Sequence, residues 1–408
     1  MTHAPDSRFL DPTTPPHIAT LIILSGLSAA AMNLFLPSLP AMAVYFGTEY
    51  GVMQLTVSLY LGANAVLQLF IGPISDRYGR RPVMIGACAL FCLFTLGTIL
   101  APNAEIFLAF RMLQSVVVTG MLLSRAIVRD MVPDAEAASM MGYVTMGMAL
   151  VPMAAPMLGG VLDQSFGWKA NFWLLFLLGI AVTVLAWADQ GETAPDITAA
   201  SGNRFEDLPE LFRSPRFWGY CMATMFAAGA FFSYLGGAPY IGSEVFGLNP
   251  STLGLLLGAP ALGYLVGNGL SGRYSVRFGV NRMVLAGTLA TFIGLGVVLL
   301  AFLAGAGSMG LFFGCCISIG LGNGLVLPNA LAGMLSVRPH LAGTASGVGG
   351  AMMIGGGAAL SALAGAVLTP GSGATPLLWI MWSTSAMSVL AICGVIWRAR
   401  QLENRAQD

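Results

Sequence analysis

Residues 72–81 read GPISDRYGRR, one Asp and three Arg in ten positions, in a chain of 408 residues that is only 9% charged. Soluble domains carry roughly 25% charged residues. With 56% hydrophobic residues and a mean hydropathy of +0.79, this chain cannot cover a water-facing surface, and it reads as an integral membrane protein. A second charged stretch, GRYSVRFGVNR, occupies 272–282. Shifted by two hundred, Gly72 meets Gly272, Ser75 meets Ser275, Arg77 meets Arg277, Gly79 meets Gly279 and Tyr78 meets Phe278. Such a repeat, with each copy after the second apolar run of its half, implies two similar halves related by an axis normal to the membrane.

Apolar runs flank both stretches. A spanning helix needs ~20 mostly apolar residues. Twelve runs fit: 18–37, 52–74, 83–101, 105–127, 139–161, 171–188, 216–238, 252–271, 283–304, 308–330, 343–367 and 376–397. The expected fold is therefore all-α, with twelve transmembrane helices in two six-helix halves. The domain plan is a disordered cytoplasmic tail at 1–17, one half at 18–188, a linker at 189–215, the other half at 216–398 and a second tail at 399–408. Within the linker, FEDLPELFRS reads either as a short amphipathic helix on the membrane surface or as plain connection. The N-terminal MTHAPDSRFLDPTTPPH lacks the charged start of a secretory signal, so the first run is expected to stay as an uncleaved helix.

Basic residues in short loops stay on the cytoplasmic side. If the N-terminus is cytoplasmic, Lys169 alone of the 18 basic residues falls outside and Arg111 falls within the bilayer. The other sixteen are inside, so both termini are expected in the cytoplasm.

Several function classes are excluded or disfavoured. Net charge is zero, leaving no basic patch for nucleic acid. Lys169 lies outside and no G-x-x-x-x-G-K-[ST] is present, so a single-chain ATP-driven pump is excluded. His3 and His17 lie in the tail and His340 in a loop, which gives no metal-ligand cluster and makes a membrane enzyme unlikely. The six Cys all fall in apolar runs and read as small apolar side chains. No metal or cofactor is expected, and the partners are a small amphipathic substrate and the lipid bilayer, with the chain acting as a monomer.

The segment QLFIGPISDRYGRRP, with Gln68 ahead of Gly72, resembles the signature of the major facilitator superfamily and its twelve-span drug/proton antiporter group. More narrowly it resembles the bicyclomycin/chloramphenicol-resistance branch. RMLQ and SRAIVRD between 111 and 130 are similar to that branch's fourth helix, and PMAAPMLGG (152–160) with GWKANF to its fifth helix and the start of the sixth. FGLNP (246–250), LPN (327–329) and AGTASG (342–347) fit its second half. The inner membrane of a bacterium is the location that family resemblance, rather than charge, implies. The resemblance implies a substrate site between the halves near mid-bilayer. It also implies export of small amphipathic compounds by alternating access, driven by the proton gradient. A facilitator or nutrient importer with weak or no proton coupling is the alternative on the same fold, and a non-transporting sensor a more distant one.

The candidate residues form three groups. Gly72, Asp76, Arg77, Gly79, Arg80, Arg81, Arg129 and Asp130 form a conformational latch. The Arg residues also serve topology, but topology does not explain Asp76, because acids contribute little to it. Gly72 and Gly79 offer close approach and a tight turn. By resemblance the latch meets the start of helix 11, near Ala342. Val276 stands in the second copy where Asp76 stands in the first, so only one copy would latch.

Pro152, Pro156, Gly159 and Gly160 form a helix-5 interface, read either as the antiporter signature or as ordinary helix packing. The VP and AP pairs here depart from the Gly-Pro pairs usual in that signature.

The third group lines a central cavity: Asn33, Tyr60, Asn64, Gln68, Arg111, Gln114, Asn268, Asn323 and Asn329. Arg111 is the one charge deep in a predicted span. Such an Arg costs ~2.5–3.5 kcal/mol on insertion scales, so it faces a cavity or partner unless it snorkels. The resemblance links it to proton transfer. Each neutral polar residue alone also reads as interhelical packing. In AMNLFLP (31–37), Asn33 stands where the resembled branch carries an Asp. No Asp or Glu lies deep in a predicted span.

Overall fold

The computed structural model describes residues 7–131, 140, 151–152, 154–193, 211–338 and 341–407, with the side chains of 342–344 and 402–407 left aside. Among them there is no strand, and 11 helices are long and apolar enough to cross a membrane. In chain order the helices are α1 (Ile18–Phe46), α2 (Tyr50–Tyr78), α3 (Arg80–Leu100), α4 (Ala104–Met131), α5 (helical at 154–166), α6 (Lys169–Asp189), α7 (Pro215–Val245), α8 (Pro250–Phe278), α9 (Val280–Leu303), α10 (Met309–Val337), α11 (Ala342–Val367) and α12 (Thr375–Gln407). α5 is not among the 11, because most of the run predicted at 139–161 lies outside the described residues. The linker segment FEDLPELFRS also lies mostly outside them.

The helix ends follow local chemistry, and the two halves repeat it. Asn103 caps α4 by accepting the Ile106 amide at 2.9 Å, and Ser308 caps α10 by accepting the Leu311 amide at 3.3 Å. A short 3-10 turn, Ser115–Val117, interrupts α4, and α10 is broken after Cys315. Pro37 sits in the 3-10 turn Leu36–Ser38 that breaks α1. α1 packs on α4 and α6, and α3 packs on α4 and α6. In the same pattern α7 packs on α10 and α12, and α9 packs on α10 and α12. The repeat legible in eleven residues of sequence is thus a repeat of helix packing.

The two charged stretches correct one expectation. They are not loops. α2 stays helical to Tyr78 and α3 begins at Arg80, so Gly72, Asp76 and Arg77 are helical and the turn is Gly79 alone. Gly79 has φ 95° and ψ 151°, and Gly279, between α8 and α9, has φ 81° and ψ 154°. A side chain there would be strained, which is why both copies carry Gly. Each Gly amide donates to the carbonyl four residues back, Gly79 to Ser75 at 3.0 Å and Gly279 to Ser275 at 2.9 Å.

Packing divides the chain into two compact units. One comprises Met1–Thr48, Val66–Gly202 and Asn249–Leu255, and the other Glu49–Ala65, Asn203–Leu248 and Leu256–Asp408. The units follow chain order except that the first part of α2 belongs with the second half and the start of α8 with the first. In the second unit, Tyr50 donates to the Gly236 carbonyl at 2.7 Å and Gln54 to the Ser361 hydroxyl at 2.7 Å. These bonds tie the start of α2 to α7 and α11. In a membrane an unmet amide is costly, so such pairs hold their helices firmly.

Residues 7–17, expected as a disordered tail, form turns against the end of α6. The Asp189 carboxylate is fully buried and accepts the Leu10 amide at 2.6 Å and the His17 amide at 2.9 Å. Gly191 comes so close that a Cβ there would overlap the Thr14 carbonyl. Asp11 accepts from the Thr13 hydroxyl at 2.6 Å and the Thr13 amide at 3.0 Å, which hold its carboxyl below the usual range. A buried carboxylate needs donors, and backbone amides of the tail supply them.

Candidate functional site

The charged turn of the first unit is built around Arg80. Its Nη1 lies 2.6 Å from Asp76 Oδ1, one turn back along the chain, and its Nε lies 3.1 Å from Asp130 Oδ2 at the end of α4. Nη1 also donates to the Ser75 hydroxyl at 2.5 Å, and Ser75 in turn donates to the Gly72 carbonyl at 2.8 Å. The planar fork of an arginine reaches these acceptors from two separate nitrogens, Nη1 and Nε, a spread that the single ammonium of Lys lacks. Arg80 is nearly buried, whereas Asp76 is about half exposed, at 47%. Arg77 stacks on the adjacent Tyr78 ring at 5.4 Å, and Arg129 is exposed beside Asp130.

Two residues absent from the sequence reading complete this turn. Glu192 accepts the Arg80 amide at 2.7 Å and the Arg81 amide at 3.2 Å, so its carboxylate caps the N-terminus of α3. A negative charge at that end is favoured by the helix dipole. Arg81 donates to the Trp187 carbonyl at 3.1 Å. The segment 187–192 therefore holds the charged turn on one side and, through Asp189, the N-terminal residues on the other. The available signal was an acid at 192 on the same membrane side as an uncapped helix start at 80. Gly72 corrects the sequence reading: nothing lies within 4 Å of where its Cβ would stand, so it serves no close approach.

Arg111 and Gln114 are brought together, as their spacing implies. Arg111 is fully buried. It donates to Gln114 Oε1 and, at 2.7 Å, to the Ala31 carbonyl of α1, and its guanidinium lies 4.4 Å from the Phe35 ring centre. Gln114 Nε2 continues the chain to the Thr95 hydroxyl of α3 at 2.7 Å. Arg111 thus joins α1, α3 and α4 through dipoles and an aromatic face, a cation–π arrangement. Asn33, also buried, donates back to the Ala29 carbonyl at 2.8 Å, two residues from the carbonyl that Arg111 holds.

On α5, Pro156, Gly159 and Gly160 are buried and Pro152 is half-buried. A Cβ at Gly159 would overlap the Leu34 carbonyl of α1, and one at Gly160 the Pro250 carbonyl at the start of α8. Gly254 returns the contact on the Pro156 carbonyl. At these positions α5 makes a backbone-to-backbone contact with α1 and the start of α8.

The remaining polar candidates are separated between the units. Tyr60 and Asn64 are buried in the second, and Gln68 is half-buried in the first. In the second unit, Asn329 donates to Ser271 Oγ at 2.7 Å and to the Leu325 carbonyl at 2.8 Å, tying α10 to α8. Asn268 donates to the Tyr264 carbonyl at 2.8 Å, and Asn323 is buried. Among the described residues no cluster of three His, Cys, Asp or Glu is placed to hold a metal.

The model of the Major Facilitator Superfamily matches residues 21–362 and 244–406. The chain belongs to that superfamily. It is a transporter rather than an enzyme, and a multi-pass protein of the bacterial inner membrane. It is 29% identical over 335 residues to a chloramphenicol resistance protein of Pseudomonas aeruginosa, covering 81% of this chain and 80% of that one. It is 28% identical over 371 residues to multidrug resistance protein D of Escherichia coli (strain K12), covering 88% and 90%. Among solved structures, a bacterial homolog of the human lysosomal transporter Spinster superposes with a TM-score of 0.74 at 17% identity, over 94% of this chain and 96% of that one. At that identity the match concerns the fold.

Proposed function

We propose that this transporter exports small amphipathic compounds, chloramphenicol-like antibiotics among them, by alternating access with both termini in the cytoplasm. The observation that carries the reading is the Arg80 network: a charged turn held by Asp76, Asp130 and a helix cap, in a chain similar to resistance transporters at both of its matched lengths. The half-exposed Asp76 carboxylate is the group with capacity to spare. α11 begins at Ala342 with no side-chain cap, an end that favours a carboxylate. Asp76 is the acid of the latch, and an uncapped helix start is the kind of partner its carboxylate suits.

The charge pattern of the predicted spans, one Arg and no acid at depth, favours neutral, zwitterionic or anionic substrates over lipophilic cations. Export is coupled to protons, and the proton is carried by Asp76 or Asp130 at the rim or by the substrate itself. Expression in an efflux-deficient host tests the reading: the chain raises resistance to neutral amphipathic antibiotics across a susceptibility panel. A panel with no change, together with a nutrient whose uptake depends on the chain, points to the importer alternative.

A further inference from the structure

In the second unit, the start of α7, the end of α10 and the last turns of α12 border an open pocket of about 390 Å³ lined by Arg213, Ser214, Arg216, Arg338 and Arg398 with Pro215 and Val337. Four guanidinium groups line it, and among the described residues no carboxylate does. Among the described residues, Arg213, Arg216 and Arg398 have no carboxylate within 4.0 Å. Arg398 Nη1 donates to the Gln401 side chain at 2.9 Å, a neutral partner that holds the guanidinium and leaves its charge in place, and Arg338 Nη1 donates to the Val337 carbonyl at 3.0 Å. The Arg216 Nε atom is buried and has no hydrogen-bond partner. The positive N-terminal end of α7, capped by Ser214, opens at the same place.

The like charges of Arg213, Arg216 and Arg398 around one space repel, and a buried N–H without an acceptor costs about 1–3 kcal/mol in general. An anion answers both. Arg is the side chain that takes phosphate oxygens in pairs. Two tryptophans mark the level of the cavity relative to a bilayer: Trp218 on the first turn of α7, and Trp397, 64% exposed, beside Arg398. Trp gathers where chain meets headgroups. Basic pockets between helix ends at that level suit anionic headgroups.

We propose that this arginine cavity is a binding site for a phosphate-bearing anion, filled in the membrane by an anionic lipid headgroup. It is separate from the charged turn of the first unit and from every polar residue assigned to transport, and it stands whether or not the export reading does.

The test uses the purified full chain in nanodiscs of phosphatidylethanolamine, with and without phosphatidylglycerol, and reads lipid retained by native mass spectrometry together with the thermal midpoint. Wild type retains phosphatidylglycerol and gains stability from it. The double variant Arg213→Gln/Arg398→Gln loses apparent affinity by about 30-fold, from about 1 kcal/mol for each cation at a membrane surface. Arg213→Gln alone, at an exposed side chain, shows a partial loss in a protein of normal stability. The charge-matched pair Arg273→Gln/Arg277→Gln, at the end of α8, keeps the wild-type response. A parallel titration of inorganic phosphate in detergent separates the sources: a shift with phosphate, lost in the same double variant, assigns the site to a soluble anion, and a response to lipid alone assigns it to headgroups. Equal responses of wild type and the cavity variant to both ligands, or equal losses in the α8 pair, overturn the proposal.

Discussion

Glu192 Oε1 accepts the backbone amide of Arg80 at 2.7 Å, so the residue that follows α6 closes the helix whose first side chain binds Asp76 and Asp130. Removing that acceptor leaves the first amides of α3 without a cap. Glu192→Ala is expected to cost about 1 kcal/mol locally, and hydrogen exchange over 80–83 should quicken by roughly fivefold. Glu192→Gln keeps an acceptor oxygen and should recover part of the protection. Unchanged exchange in the alanine variant would show that the cap contributes nothing.

Asp76 and Arg80, ion-paired at 2.6 Å, are the proposed latch. Asp76→Asn should lower export while leaving the protein inserted and folded, because Arg80 keeps Asp130 and the Ser75 hydroxyl. Arg80→Lys should not restore function, since a single ammonium lacks the spread of Nη1 and Nε. Efflux from cells, normalised to membrane protein, reads both. Normal efflux in Asp76→Asn would reduce this turn to a topology signal.

The N-terminal residues are expected to stabilise the first unit. Deleting residues 2–16 strips the Leu10 amide from the buried Asp189 carboxylate and undoes the turns that present the His17 amide. An unsatisfied buried acceptor costs about 1–3 kcal/mol. Asp189→Ala should cost a similar amount, and the two changes together little more than one alone. Denaturation midpoints in detergent decide; full additivity would mean that the tail and Asp189 act apart.

Two glycines with opposite surroundings give a paired test. Gly160→Val should abolish folded yield, because the Pro250 carbonyl occupies the space of its side chain. Gly72→Ala should be tolerated or stabilise by up to ~1 kcal/mol, since the position is helical and open. Size-exclusion profiles of both variants check the contrast.

Much of the fold was legible because a membrane imposes its own pattern. Long apolar runs mark spans whatever they pack against, and a Gly needed at positive φ repeats at 79 and 279. The pairing of Arg111 with Gln114 was legible from spacing. The helical state of Asp76 and Arg77 was not, because charge in a membrane chain reads as loop, while the helix simply projects beyond the apolar layer. Nor were the cap by Glu192 and the docking of residues 7–17 on Asp189, since each depends on segments more than a hundred residues apart. The grouping of the start of α2 with the second half was hidden for the same reason: Tyr50 and Gln54 look like ordinary span residues until Gly236 and Ser361 are placed beside them.

The central claim is export of non-cationic amphipathic compounds by a chain whose predicted spans hold no acid at depth. Transport by purified protein in proteoliposomes, under an imposed proton gradient, tests it most directly, with chloramphenicol and a lipophilic cationic dye as paired substrates. The account predicts gradient-driven transport of chloramphenicol, little of the dye, and a gain of dye transport in Asn33→Asp. Strong proton-coupled transport of the dye by the wild type, with chloramphenicol left behind, would contradict it.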